Sequence, residues 1–600
     1  VTKFLNQPSP VNKSCRLHLS SGRIEKLMAV AASRRPAEKI IRNVNLVNVH
    51  LPRIEEDVSL ALAQGRIAAV GKDLDRLAGP KTEIIDGRDR LVLPGLIDAH
   101  THLDSIFSVR EFAALALLSG HTTAVSETAM IANAAGRAGV EAFMAEASDL
   151  PFRVFFLAPP LVPPFPRLET SAGLDLADFK RILKRRDVLG VGETYWRPAL
   201  DLEPRTTRRF AAAQALGKTL EGHAAGARNL NLQAYRAGGV SSCHEATTPE
   251  EVMERLALGL TVLIREGYIR SELPAMAPLA RRRDLDTRRL VLVTDLASPE
   301  MLLHSGVMIE LVRRAAAVGF DPLQAVQMAT LNPADYFGLT ALGRLDPGAL
   351  ADLVLVDDLK TLKVETVLAD GRVVAHQGLL TVALPEPAYP PDLYRSFQLD
   401  KVDPKDFRLT APPGTTKARA VAVASETITR EALVDIKASR GRVAADPERD
   451  LVKIAVFNKH ESRPTGRIGL AAGLGLKAGA VAASLLWDTN NILCAGVTDR
   501  EMALAVNRLL ELRGGLVVVR GQRVLAEMPL PVGGVISDKP LSDIFREWAA
   551  VEEAIHALGS RLSRPFLTFQ TFCFTGLPFL RLTDKGLVDV RQGRLVDIFL

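Results

Sequence analysis

The 600-residue sequence contains no run approaching the roughly 20 consecutive apolar residues that a membrane-spanning helix needs. Its first residues, "VTKFLNQPSPVNKSCRLHLSS", lack the apolar core of a secretory signal. Both absences lead us to expect a cytoplasmic protein with no membrane partner. Cysteine is scarce: Cys15, Cys243, Cys494 and Cys573 stand apart without Cys-x-x-Cys spacing. That excludes a disulfide framework and a thiolate zinc site, and leaves four reduced thiols. Charge of one sign is also lacking. With 75 basic and 69 acidic residues the net charge is +6, too thin an excess to mark a nucleic-acid binder.

What is abundant is apolar side chain, 47% of the sequence, enough to fill the two to four cores that this length suggests. Short strands with turn signals open the patterned part at 38–93, and the same texture returns at 341–385, so these flanks are expected to form one small β domain. Between them, 94–340 alternates short apolar runs ("RVFFLAP", "VLGVGE", "LVLVTD") with helical stretches such as "GVMIELVRRAAAVGF". Length and alternation fit a (β/α)8 TIM-like barrel, an α/β fold of about 250 residues. An open doubly wound sheet is the alternative, but no Gly-rich phosphate loop follows the first strand. After the Pro-rich "LPEPAYPPDLY", residues 386–600 read as a C-terminal α+β domain, in which "DREMALAVNRLLELRGG" is a helix stopped by two glycines. Residues 1–37 are an N-terminal extension whose first 21 residues show no pattern.

Ligand-type side chains end several of the apolar runs: His100 and His102 in "LVLPGLIDAHTHLDS", Glu193 in "GVGETYW", His223 in "LEGHAAG", His244 in "SSCHEAT" and Asp295 in "LVTDLAS". In a barrel the C-terminal strand ends share one face, so residues distant in sequence converge there. Four imidazoles and two carboxylates suit one or two divalent transition ions, with zinc, iron and manganese favoured over magnesium. Singly each is ambiguous, since Asp295 could be a helix N-cap and Glu193 a helix-start carboxylate. Their order, each after its own apolar run, makes them a set. His121, His304 and His460 stand outside that order and are read as structural or surface residues.

"PGLIDAHTHLD" together with "LVTD" resembles the amidohydrolase superfamily, and longer passages are similar to the adenine deaminase family within it. They include "EGHAAGARNLNLQAYRAGGVSSCHEATTPEEVMERLALGLTVLIREG", "LGRLDPGALADLVLVDDL", "LAEMPLPVGGVISDKPL" and "LRLTDKGLVDV". The resemblance implies a binuclear divalent centre of manganese or iron, with zinc possible. His100 and His102 would bind the first ion, Glu193 would bridge to the second, and His223 and His244 would hold that second ion. Asp295 would contact metal and move protons, so Asp295 and Glu193 are the implied catalytic residues. Arg265 and Glu266 of "LIREG" match a family motif and would contact substrate or brace the ligands; otherwise they form an exposed ion pair. Glu245 would orient His244 through its other ring nitrogen. The implied reaction is adenine plus water to hypoxanthine and ammonia by a metal-bound hydroxide. The implied partner is a small-molecule purine or related N-heterocycle, in a homodimer or larger symmetric assembly.

The sequence departs from the family pattern in four places. Glu127, Thr128, Ala129 and Met130 replace Asp-Pro-His-Glu, which predicts a missing imidazole and carboxylate. Trp487, Asp488, Thr489, Asn490 and Asn491 replace His-Asp-Ser-His-Asn, Leu296 follows Asp295 where a second Asp is usual, and Gly306 to Glu310 replace Gly-His-Ile-Asp-His. Asp104 also stands where Glu is common. These changes keep two alternatives open: an amidohydrolase acting on another cyclic amidine, amide or aminated heterocycle, and a catalytically idle metal-binding paralogue.

Overall fold

A computed structural model describes residues 17–304 and 306–600. Cys15 lies outside the described residues; the other three cysteines are buried free thiols. The N-terminal extension contains a helix, Ser21–Ala31, whose Leu27 and Val30 pack on Ile40, Ala61 and Leu74 of the flanking sheet.

That sheet has eight strands drawn from both sides of the barrel segment. Lys39–Asn48, Arg53–Ala63, Arg66–Gly71 and Glu83–Pro94 join Leu353–Val356, Val364–Ala369, Arg372–His376 and Leu379–Leu380. The seam is antiparallel, running from Leu353 opposite Pro94 to Val356 opposite Leu91.

Eight parallel strands form the barrel: β1 (Leu96–Thr101), β2 (His121–Ser126), β3 (Arg153–Ala158), β4 (Val188–Tyr195), β5 (Thr219–His223), β6 (Ser242–Cys243), β7 (Thr261–Arg265) and β8 (Leu290–Val293). Most are buried on both faces, as strands covered inside by the core and outside by helices must be. Ladders run from β1 through β5 and from β6 through β8. Two junctions close the ring. Ser241 N donates to Leu220 O at 2.9 Å beside β5 and β6, while Asp295 N donates to His100 O at 3.0 Å and His102 N to Asp295 O at 2.9 Å between β8 and β1. The second junction excludes the open doubly wound sheet, and it is made by three of the expected ligand residues. At the opposite end, buried Arg153 of β3 bonds Asp352 and, at 2.6 Å, Asp370, fixing the flanking sheet to the barrel floor.

The C-terminal part is built on a second eight-stranded sheet that packs the helix Asp499–Glu511. Thr498 caps the helix by accepting from Glu501 N, and the chain leaves it through Arg513 and Gly514, both at positive φ. This domain lies over the C-terminal ends of the barrel strands. Ile536–Ser537 pairs in parallel with Ile106–Phe107 just beyond β1, and the Asn490 amide donates to Met130 O at 3.0 Å.

Candidate metal centre

The strand ends carry the chemistry inward. On β1, Asp98, His100 and His102 alternate with Ala99 and Thr101, so the three polar side chains share one face as the strand runs out. Glu193 comes from β4, His223 from the end of β5, His244 from the residue after β6, and Asp295 from two residues past β8. Asp295 sits at φ 62°, a left-handed conformation uncommon for a residue other than glycine. There its backbone can bond both His100 and His102 while its carboxylate faces their rings.

All six expected ligands meet. His100 Nε2 is 3.2 Å and His102 Nε2 3.5 Å from Asp295 Oδ1. Glu193 spans the cluster: Oε1 is 3.5 Å from His102 Nε2, while Oε2 lies 2.9 Å from His223 Nδ1 and 3.2 Å from His244 Nε2. Among the described residues, three overlapping triplets place donor atoms within 4.8 Å of one another: His100, His102 and Asp295; His100, Glu193 and His244; His223, His244 and Glu245. The donor set is imidazole and carboxylate, the mixture that divalent transition ions take. His223 turns Nδ1 to the cluster, toward Glu193 Oε2 and Glu245 Oε1, so Nδ1 is the nitrogen it offers to a metal.

The electrostatics follow from packing these groups out of water. Burial raises a carboxyl, yet the His100 and His102 hydrogen bonds and the Arg265 guanidinium outweigh it and hold Asp295 well below its ordinary range. Glu193 is likewise held low against burial by His223 and His244. Burial also opposes charge on His102 and His244, but the surrounding carboxylates lift both well above the usual imidazole value. His100, with His244 stacked on it at 4.2 Å, is pushed down to about 4 by burial and by that neighbour.

Arg265 is 3% exposed, so it is no surface ion pair. It bonds Glu245 and reaches Glu272 Oε1 at 2.8 Å and Asp295 Oδ2 at 3.3 Å. Glu245 departs from its expected role: its Oε1 lies 3.4 Å from His244 Nε2, the nitrogen that also faces Glu193, so it sits on the ligand side rather than behind the ring. Glu266 does not join the centre. The chain turns after β7, and its carboxylate accepts from Ser271 Oγ and from Arg314 Nη1, both at 2.7 Å. His121 is buried and structural, wedged against Phe112 and Phe152 with Nε2 at 2.9 Å from Thr123 O.

Other groups went unrecognised in the sequence. The segment 127–130 was expected to lack a carboxylate, but Glu127 supplies one beneath the cluster: Oε1 is 3.6 Å from His100 Nδ1 and accepts from Glu193 N at 2.9 Å. Burial and the Glu193 charge raise it to about 8. It ends the apolar run "HTTAVSE", the same signal that picked out Glu193. Asp98, raised by burial to about 7, accepts from the Thr294 hydroxyl and so ties β1 to β8. The cavity above the cluster is lined by Thr427, Trp487, Thr571, Phe574 and Leu577 of the C-terminal domain, with Ile269 and Arg270 of the barrel; Trp487 stands in a segment that departs from the family pattern, and no periodicity or spacing links the others to it.

Comparison with known proteins agrees with this architecture. The amidohydrolase family profile matches residues 91–374, and the adenine deaminase C-terminal domain profile matches residues 426–594. The adenine deaminase of Moorella thermoacetica is 37% identical over 582 residues, covering 96% of this chain and 97% of that protein. The adenine deaminase of Ruegeria pomeroyi is 34% identical over 588 residues, with 96% and 97% covered. Among solved structures, a beta-aspartyl dipeptidase from Fervidobacterium islandicum aligns at 18% identity and a TM-score of 0.47, covering 57% of this chain and 99% of that one. With more than a third of its residues shared along nearly the whole length of a relative, and both family profiles in register with the barrel and the roof domain, the chain belongs to the adenine deaminase family of the amidohydrolases.

Proposed function

We propose that the chain hydrolyses adenine to hypoxanthine and ammonia at a binuclear divalent centre, of manganese or iron, held by His100, His102, Glu193, His223, His244 and Asp295. The supporting observation is the split of Glu193, one carboxylate oxygen toward His102 and the other toward His223 and His244. A carboxylate so placed would hold two ions, one with each oxygen. When bound, the metal supplies a nucleophile at neutral pH, lowering the pKa of water from about 15.7 to about 7.

The residues of the chain do the rest. In the balanced reaction a water oxygen bonds to C6, the C6–N6 bond breaks, one water proton ends on N1 and the other leaves with the amine as ammonia. Asp295 is the carrier of that proton. Its Oδ2 is fixed by Arg265, leaving Oδ1 beside His100 and His102, and its low pKa keeps it ionised. Glu127, bonded to the Glu193 amide, holds β4 so that the Glu193 carboxylate stays at the centre of the cluster. Arg265 offsets the charge of Glu245, Glu272 and Asp295, which lets three carboxylates share a dry wall.

The test is metal-reconstituted protein assayed for ammonia release and for the spectral change of adenine to hypoxanthine, with metal content measured in parallel. Turnover that scales with loading toward two ions per chain supports the proposal. Ammonia from another aminated heterocycle but not from adenine would replace the substrate and keep the chemistry. No release from any member of such a panel would favour the idle paralogue.

A further inference from the structure

The cavity over the cluster has a volume of about 60 Å³, far below the roughly 300 Å³ at which pockets for drug-sized ligands begin. Its size restricts it to a small ligand. Its floor is the charged ligand set; the C-terminal domain adds Thr427, Trp487, Thr571, Phe574 and Leu577, none of them charged, and Ile269 and Arg270 of the barrel complete the lining. A substrate whose reacting carbon faces the floor therefore presents its far edge to the C-terminal domain.

Two hydroxyls in that lining differ in what they can do. Thr571, 1% exposed, donates its proton to Thr568 O at 2.7 Å, so only its oxygen lone pairs are available to a ligand. Thr427, 4% exposed, has a hydroxyl with no hydrogen-bond partner, free to donate or accept. An acceptor-only group and an adaptable one in the same lining match an edge that places an N–H next to a bare ring nitrogen. The five-membered side of a free purine has that pattern in N9–H and N3.

We propose that Thr571 and Thr427 are specificity-determining residues that read this edge, Thr571 accepting from N9–H and Thr427 donating to N3. The inference rests on the deaminase reading above. It makes the enzyme selective for the free base: an N9 substituent removes the proton Thr571 needs and drives bulk into Trp487 and Phe574. A site that hydrogen-bonds its substrate in this way rejects analogues lacking the group by factors of about 10⁴.

The experiment uses full-length, metal-reconstituted protein and compares adenine with 9-methyladenine for the wild type and for Thr571→Val, Thr571→Ser and Thr427→Val. Metal content and melting temperature are measured for each. Hypoxanthine and 9-methylhypoxanthine binding, followed by calorimetry, gives a readout independent of turnover. Thr571→Val should lower kcat/KM for adenine by about 10- to 100-fold, mainly through KM, and weaken hypoxanthine by a similar factor. It should leave the 9-methyl compounds where they were, with Thr571→Ser restoring the wild-type preference. Thr427→Val should weaken methylated and unmethylated bases alike, because both keep N3. An unchanged adenine to 9-methyladenine ratio in Thr571→Val, with metal and melting temperature retained, overturns the assignment. Absence of turnover on adenine in the metal-loaded wild type overturns instead the reading on which it rests.

Discussion

Asp295 meets three demands at once. Its backbone closes β8 onto β1, its carboxylate faces two imidazoles, and Arg265 anchors its second oxygen. Because the main chain makes the closure, the side chain can be altered without opening the barrel. Asp295→Asn keeps an oxygen toward the histidines but cannot accept a proton. We expect kcat to fall by about 10²- to 10⁴-fold, the usual worth of a positioned acid or base, while the metal content per chain and the melting temperature stay near wild type. Near-normal turnover in that variant would remove Asp295 from proton transfer. The residue was legible in the sequence because it ends the apolar run "LVLVTD". Its left-handed backbone was not, since that conformation is imposed by the neighbouring strand.

The strand β4 shows how an element is shaped around the centre. Gly190 and Gly192 alternate along its buried stretch, and each marks a close approach. A Cβ on Gly190 would lie 2.7 Å from the backbone oxygen of Thr219, and one on Gly192 would lie 2.1 Å from Glu127 Oε2. Glu127 is fully buried, so it can relieve that clash only by giving up its bond to the Glu193 amide. Gly192→Ala should therefore weaken metal affinity by about 10- to 100-fold, the usual effect of disturbing a group that orients a ligand. Metal titration with a chelator as competitor would measure it, and an affinity equal to wild type would show that Glu127 does not orient Glu193. The barrel class and the six expected ligand positions could be read from the sequence because both depend on local pattern: alternating apolar runs and the polar residue that ends a run. Glu127 obeys the same pattern, which a comparison of its segment with a motif hides. Glu266, by contrast, satisfied the pattern and fails in three dimensions, because the turn after β7 carries it toward Arg314.

At the scale of the whole molecule, the roof over the centre depends on contacts between parts far apart in the chain, which is why no sequence pattern announced it. Lys459 stands at their junction. It is completely buried in the C-terminal domain, its amine donates to Gly533 O at 2.8 Å, and it lies 5.0 Å from the centre of the Phe397 ring in the segment leading from the barrel. Gly533 belongs to the loop that continues into Ile536–Ser537 and pairs beside β1. Burial lowers this amine to about 7, whereas in an unfolded chain it titrates near 10.4. Between those values the unfolded chain binds the extra proton, so stability rises with pH across the window, by about 1.4 kcal/mol per unit for this group. Below about pH 7 both states are protonated and the folded protein carries the full cost of the buried charge. Lys459→Met should raise the thermal midpoint most at pH 7 and flatten its rise between pH 7.5 and 9.5 relative to wild type. The variant should also keep the metal content of the wild type, because no ligand touches the lysine. A slope identical to wild type would show that the amine is charged in the folded state throughout, and that the junction tolerates an ammonium where the packing leaves it no counter-ion.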